Sequence, residues 1–162
     1  VDLSDHDLSN TILTGANLTN TNFSNSKLIN VELIQVIAVN SNFSDTIMSN
    51  VNISQSNFSN SILSSSKISN LTSFGTMMNN SNLSNSQISD SNIQGTHLHN
   101  SNLSNMKFSN STLTGVIFTG SEMINIIFEN TEITNSNFKF VVLENYEFLD
   151  VTMNCINHVI CE

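Results

Sequence analysis

The chain has 162 residues, 38% of them hydrophobic, with 13 acidic and four basic side chains giving a formal net charge of −9. Only 10% of its residues are charged, against about 25% in an ordinary globular domain, so Ser, Thr and Asn must supply most of the polar surface. No apolar run approaches the roughly 20 residues of a membrane span, two cysteines cannot build a disulfide framework, and no direct nucleic-acid binding is expected.

Polar bias of this kind also marks low-complexity disorder, but the apolar residues are too evenly spaced for that. Stepping by five from Leu3 to His158 gives 32 positions: 12 Leu, 8 Phe, 5 Ile and 4 Met, with Ala38, Ser73 and His158 as the exceptions. A period of five suits neither an amphipathic helix nor an alternating strand. It suits a chain that turns a corner every five residues and points the same phase inward each time. Two residues after each centre stands Asn 17 times, Gly 5 times and Asp 4 times. These residues tolerate positive φ, as the third position of a type II turn requires. Two residues before the centre stand small side chains such as Ala16, Thr21, Ser41, Val51, Ser81 and Ser101, expected to point inward beside the bulky one. The other phases should face water, Asn22, Asn42, Asn82 and Lys107 among them.

Along the chain, the first unit, beginning at Val1 and not at methionine, is already in phase. This is expected of a processed or longer product. Asn17, Asn22, Asn42, Asn52, Asn57, Asn82 and Asn102 belong to ten Asn-x-Ser/Thr sequons, open to glycosylation only in a secretory setting. The repeat's own Asn-Leu-Ser pattern generates most of them. Residues 71–75 depart from the pattern, with Ser73 at the core phase; Leu71, together with Phe74, is expected to fill the space. His97 and His99 flank Leu98 and should face outward, but with no third ligand evident no metal site is expected. Phe108, Phe128 and Phe148, twenty residues apart, should stack, as should Leu63, Leu83 and Leu103. Glu129 with Glu132, and Glu144 with Glu147, are read as solvated surface. Cys155 falls at a corner phase and Cys161 at an inward phase. They meet in a disulfide only if the terminus curls back, and a free-thiol state is an equal expectation. His158 reads as a fraying or capping residue.

Units such as Ala16-Asn17-Leu18-Thr19-Asn20, Ser41-Asn42-Phe43-Ser44-Asp45 and Ser101-Asn102-Leu103-Ser104-Asn105 resemble the pentapeptide-repeat family, and the match runs over essentially the whole chain, 1–162, as one domain. The resemblance implies an all-β, right-handed quadrilateral β-helix with four repeats per coil. Twenty residues per coil then give about eight coils, or a rod of roughly 38 Å at ordinary strand spacing.

With no convergent titratable cluster, phosphate loop or metalloprotease motif, neither enzyme activity nor a cofactor is expected. Two roles remain. The family resemblance implies acidic DNA mimicry, in which a β-helix binds DNA gyrase or another nucleic-acid-binding protein. Yet from Thr46 to Ser121 the only acid is Asp90, opposed by Lys67 and Lys107, whereas duplex DNA carries a charge every ~1.7 Å. The expected role is therefore a structural rod or scaffold, extracellular or at a cell surface and open to a protein partner. No capping helix is evident, and uncapped ends invite end-to-end stacking into a filament or a longer solenoid. A regular Ser/Thr/Asn face that binds ice or carbohydrate is a weaker third reading.

Overall fold

A left-handed residue every fifth position reverses the chain regularly, and that local event generates the architecture. In the computed structural model, which describes residues 1–161, every position from 5 to 150 that is a multiple of five has positive φ. Five are glycines and most of the others Asn or Asp, but Gln35, Gln55, Ser65 and Phe140 adopt the same conformation at φ of 57°, 57°, 59° and 60°. Many corners close with an i+3 to i backbone bond, as from the N–H of Ser26 to the carbonyl of Phe23 at 3.1 Å.

Four corners make one coil. Each coil pairs in parallel with the next at a spacing of twenty residues, from Asp2↔Asn22 through Glu132↔Thr152. The chain is thus an all-β parallel solenoid with four faces. The second face carries the longest sheet, seven strands beginning with Lys27–Ile29 and ending with Glu147–Leu149. A further bridge, Asp7↔Lys27, extends it by one level. The third face contains a five-stranded sheet from Thr72–Phe74 to Thr152–Ile156. The first has two strands, Glu122–Ile124 and Val142–Glu144, continued by isolated bridges, and the fourth is built largely of such bridges.

The interior is a set of columns. Leu18, Phe43, Phe58, Leu83, Leu103, Phe108 and Phe128 are all buried, as the repeat predicts. Phe128 lies 5.2 Å from Phe108 with planes 3° apart and 5.5 Å from Phe148. Phe23 and Phe43 stack at 4.6 Å. The small inward residues are not merely spacers. Their hydroxyls donate to carbonyls of the preceding coil, as from Ser41 Oγ to Leu18 at 2.6 Å and from Ser101 Oγ to Met78 at 2.9 Å. They also accept from its N–H groups, as at Ser101 Oγ from Ser81 at 3.2 Å. Among the described residues, no buried side-chain nitrogen or oxygen lacks a partner, which is how a core lined with serine escapes the cost of buried polar groups.

Four expectations need correction. Asn22, Asn42, Asn82 and Lys107 are half-buried rather than exposed, because outward side chains lie against their counterparts one coil away. Asn42 donates its amide to Asn22 Oδ1 at 3.2 Å, and Asn22 to Asp2 at 3.1 Å. At the irregular repeat, Leu71 is buried but Phe74 is 52% exposed. Ser73 Oγ instead bonds Thr96 Oγ1 at 2.7 Å and Thr76 Oγ1 at 3.0 Å, beside a void of about 20 Å³ walled by Ile53, Phe58, Leu71 and Met78.

The other two corrections concern the last coil. Its register slips by one residue, so that Cys155 opposes Ser136 and lies buried, not at a corner, and the next residue with positive φ is Asn157, at 69°. The chain then closes a short 3-10 turn, Val159–Cys161, and Cys155 bonds Cys161 with their Cα atoms 5.0 Å apart. Ile160 and Cys161 pack against the core. This end therefore carries a partial, disulfide-held cap where a bare coil was expected.

Candidate functional site

Because each strand alternates around one inward residue, every remaining chemical group sits on the outer surface, and the faces decide which groups meet. Seven of the ten sequon asparagines, Asn17, Asn22, Asn42, Asn52, Asn57, Asn82 and Asn102, directly precede a core residue and share one geometry. In each, Oδ1 accepts the backbone N–H two residues on, at 2.9–3.1 Å. This Asx bond starts the corner and gives the sequon pattern a purely structural use. Asn17 is exposed while the other six are half-buried.

The acidic side chains do not converge. Glu129 lies on the second face, where it pairs with Lys107, and Glu132 on the third. Glu144 lies on the first face and Glu147 on the second. A corner separates each pair, so neither forms an acid–base couple. Asp2 and Asp7, in the first coil, have carboxyls held below the usual range. The backbone N–H of Ser4 is the main cause at Asp2, and the Ser9 hydroxyl at Asp7, where Lys27 adds a weaker attraction. Lys27 and Asp7 stand 3.7 Å apart, both well exposed, so their attraction is largely screened.

His97 and His99 do share a face, with ring centroids 5.6 Å apart. His158 has left the core column: its carbonyl accepts from Cys161 at 3.0 Å within the terminal turn. Among the described residues, no three His, Cys, Asp or Glu side chains gather to hold a metal ion, and no helix is long and apolar enough to cross a membrane. The core void is far below the roughly 300–1,000 Å³ of a small-molecule pocket.

Exposed apolar side chains are scattered singly along the faces, as at Ile12, Ile37, Ile47 and Phe74, and gather around the last coil. Phe140, Val142, Tyr146, Leu149 and Ile156 are between 43% and 74% exposed, and Leu143, Phe148 and Met153 beneath them are only partly buried. Serine hydroxyls and the Asn, Gln and Asp ladders occupy much of the flanks: Asn30 donates to Asn10 and Asn50 to Asn30, at 2.9 and 3.0 Å.

A parallel β-helix with a left-handed corner every five residues and a small residue beside each core side chain defines a five-residue solenoid, one whose features lie in ladders and ends. The family model for pentapeptide repeats matches residues 1–28, 26–64 and 75–105 in eight copies. This is more than half of the chain, which therefore belongs to that family. Among solved structures, trypsin-treated QnrB1, a plasmid-mediated fluoroquinolone resistance protein, is 11% identical over 96% of this chain and 92% of its own, with a TM-score of 0.57. HetL, a pentapeptide-repeat protein involved in heterocyst differentiation regulation in the cyanobacterium Nostoc sp. strain PCC 7120, is 14% identical over 97% and 89%, with a TM-score of 0.47. A pentapeptide-repeat protein from the Arabidopsis thaliana thylakoid lumen is 16% identical over 87% and 70%, with a TM-score of 0.42. At such identities the likeness is one of fold. No curated protein matches the chain.

Proposed function

We propose that this chain is a non-catalytic rod of an oxidising, extracellular or cell-surface setting, whose last coil is covered by a further coil, either that of a second copy stacked end to end or that of a longer solenoid. The observation that carries this reading is the exposed apolar group Phe140, Val142, Tyr146 and Leu149 around the half-covered Leu143 and Phe148. Every earlier coil donates backbone N–H groups to the coil after it, as Leu103 does to Glu122. The last coil keeps the same donors on its first three faces, and the terminal turn packs against the core near the fourth. The first coil of a second copy offers the complementary edge, with partly buried Leu3, Leu8 and Leu13. Stacking pairs those backbone groups and covers the apolar floor.

The Cys155–Cys161 bond supports the choice of compartment, since structural disulfides persist mainly in oxidising ones. In that setting Asn17 and Asn70, both exposed sequon asparagines outside the inter-coil side-chain ladders, are the acceptors best placed to carry a glycan. Asp2, Asp5 and Asp7 at one end face Glu144, Glu147 and Asp150 at the other. Their repulsion is screened as salt rises, so stacking strengthens with ionic strength. Nothing specific favours the gyrase-binding alternative: the rod's middle is nearly neutral, and the likeness to QnrB1 supports the fold alone.

Light scattering and electron microscopy of the purified chain across a salt series test the proposal. Filaments or short stacks growing with salt are expected, and a V142K/L149K variant should prevent them. A strictly monomeric rod at every ionic strength overturns end-to-end association. Inhibition of gyrase supercoiling that vanishes when the terminal acids are neutralised replaces it with the mimicry role.

A further inference from the structure

His97 and His99 sit two residues apart on the fourth face, on either side of Leu98, which is buried. Strand alternation sends both rings to the same outer side. Both are half-buried, with centroids 5.6 Å apart and planes at 88°. An ion held by one nitrogen from each ring at about 2.0–2.1 Å, with each nitrogen a little over 1 Å from its ring centre by ordinary imidazole geometry, sets the centroids roughly 5–6 Å apart. The observed separation meets that condition with no movement of the backbone.

The third group comes from the neighbouring coil. Met77 is the register partner of His97, so its side chain starts about one strand spacing, ~4.8 Å, from the imidazole. It points outward and is 41% exposed, which leaves the thioether free to turn toward the ring. On the other flank His97 pairs with Ile117, which has no donor atom. Asn79 is already engaged, its Oδ1 accepting the backbone N–H of His99 at 3.3 Å. With no carboxylate gathered there, the site offers little to magnesium or calcium, which demand oxygen ligands. Two imidazoles and a thioether suit a soft monovalent ion.

We infer that His97, His99 and Met77 form a surface binding site for Cu(I). The bland alternative is an edge-to-face ring pair that contributes modestly to stability. The experiment is a titration of the intact chain with Cu(I), kept reduced by ascorbate, against a chromophoric Cu(I) chelator. One ion per chain is expected, lost in H97A and in H99A and unaffected in H6A. M77L should weaken binding by about 10–100-fold or more, since loss even of a group that only orients a ligand costs that much. All four variants should melt with the parent, as the substituted side chains lie outside the core. Absence of binding, binding that survives H97A or H99A, or M77L binding as tightly as the parent overturns the site. Loss of the ion in a C155S/C161S chain also overturns it, by placing copper at the sulfur pair of the terminal turn.

Discussion

The corner at Gly95 gives the most discriminating test of how the sequence specifies the coil. Its φ is +58°, and a Cβ built there meets nothing nearer than the backbone nitrogen of Gly75 at 3.9 Å, an ordinary contact. Any cost of a side chain at this place is therefore conformational and not steric. An alanine in the left-handed region costs about 1–2 kcal/mol, offset by about 0.4–1 kcal/mol from the reduced freedom of the unfolded chain. A net loss of about 1 kcal/mol is expected for G95A. Valine, β-branched and stiff at χ1, should lose about 2–3 kcal/mol, the upper part of the range for strained backbone. G95N should stay within about 0.5 kcal/mol of the parent, because Asn tolerates this conformation. Urea unfolding of the three variants, followed by far-ultraviolet circular dichroism, supplies the ranking. G120A serves as a contrast, because a Cβ there would clash with Asn100 Oδ1 and Asn100 must swing aside. A G95V chain that unfolds with the parent would show that the positive φ at this corner carries no cost. A G95N chain as damaged as G95V would place the cost in the side chain and not in φ.

Reduction of Cys155–Cys161 should act locally. Closing a six-residue span contributes at most about 2 kcal/mol in the loop-entropy model, so amide exchange should quicken in residues 152–161 while the coil containing Phe43 keeps its protection. Global unfolding on reduction would show that the turn anchors the whole rod. Acid should loosen the opposite end: the carboxyls of Asp2 and Asp7 have folded values below their ordinary 3.8. Below that pH the unfolded chain binds more protons than the folded one, so their stabilisation is present at neutral pH and is lost as pH falls through the folded values. Carbon-13 carboxyl titration should place both midpoints under 3.8, and D2N and D7N chains should show less acid-induced fraying of the first coil. Midpoints at or above 3.8 contradict the hydrogen-bond pattern at Ser4 and Ser9.

The corners and the core columns were legible because both are local. Asn, Gly or Asp at one phase and Leu or Phe at another fix φ and burial within five residues, and the fold follows by repetition. Contacts between residues twenty apart were harder to see. The half-burial of Asn42 and its amide bond to Asn22 depend on the coil above, as does the placing of Met77 beside His97. Both are encoded between positions twenty apart, Asn22 with Asn42 and Met77 with His97. Phe74 is outward because Ser73 keeps the inward phase despite its size, its hydroxyl being claimed by Thr76 and Thr96. The slip at Cys155 had a faint signal: Cys155 is a poor corner residue. What the period could not convey is that one residue would be dropped, which needs the disulfide and the terminal turn to be seen together.

The chain has no tryptophan and a single tyrosine. Tyr146 stands on the last coil, 43% exposed and 5.0 Å from the ring of Phe148. Its emission consequently reports one end of the rod and is blind to the rest. A solenoid can unravel from the first coil inward without dimming this signal, and a fluorescence melt will disagree with a circular-dichroism melt whenever the two ends come apart at different temperatures. The same isolation is useful. A neighbour seated on the last coil must shield this phenol from quenchers in the solvent, whereas a partner gripping a flank leaves it as accessible as before, so a quenching titration reads out where contact is made without any label.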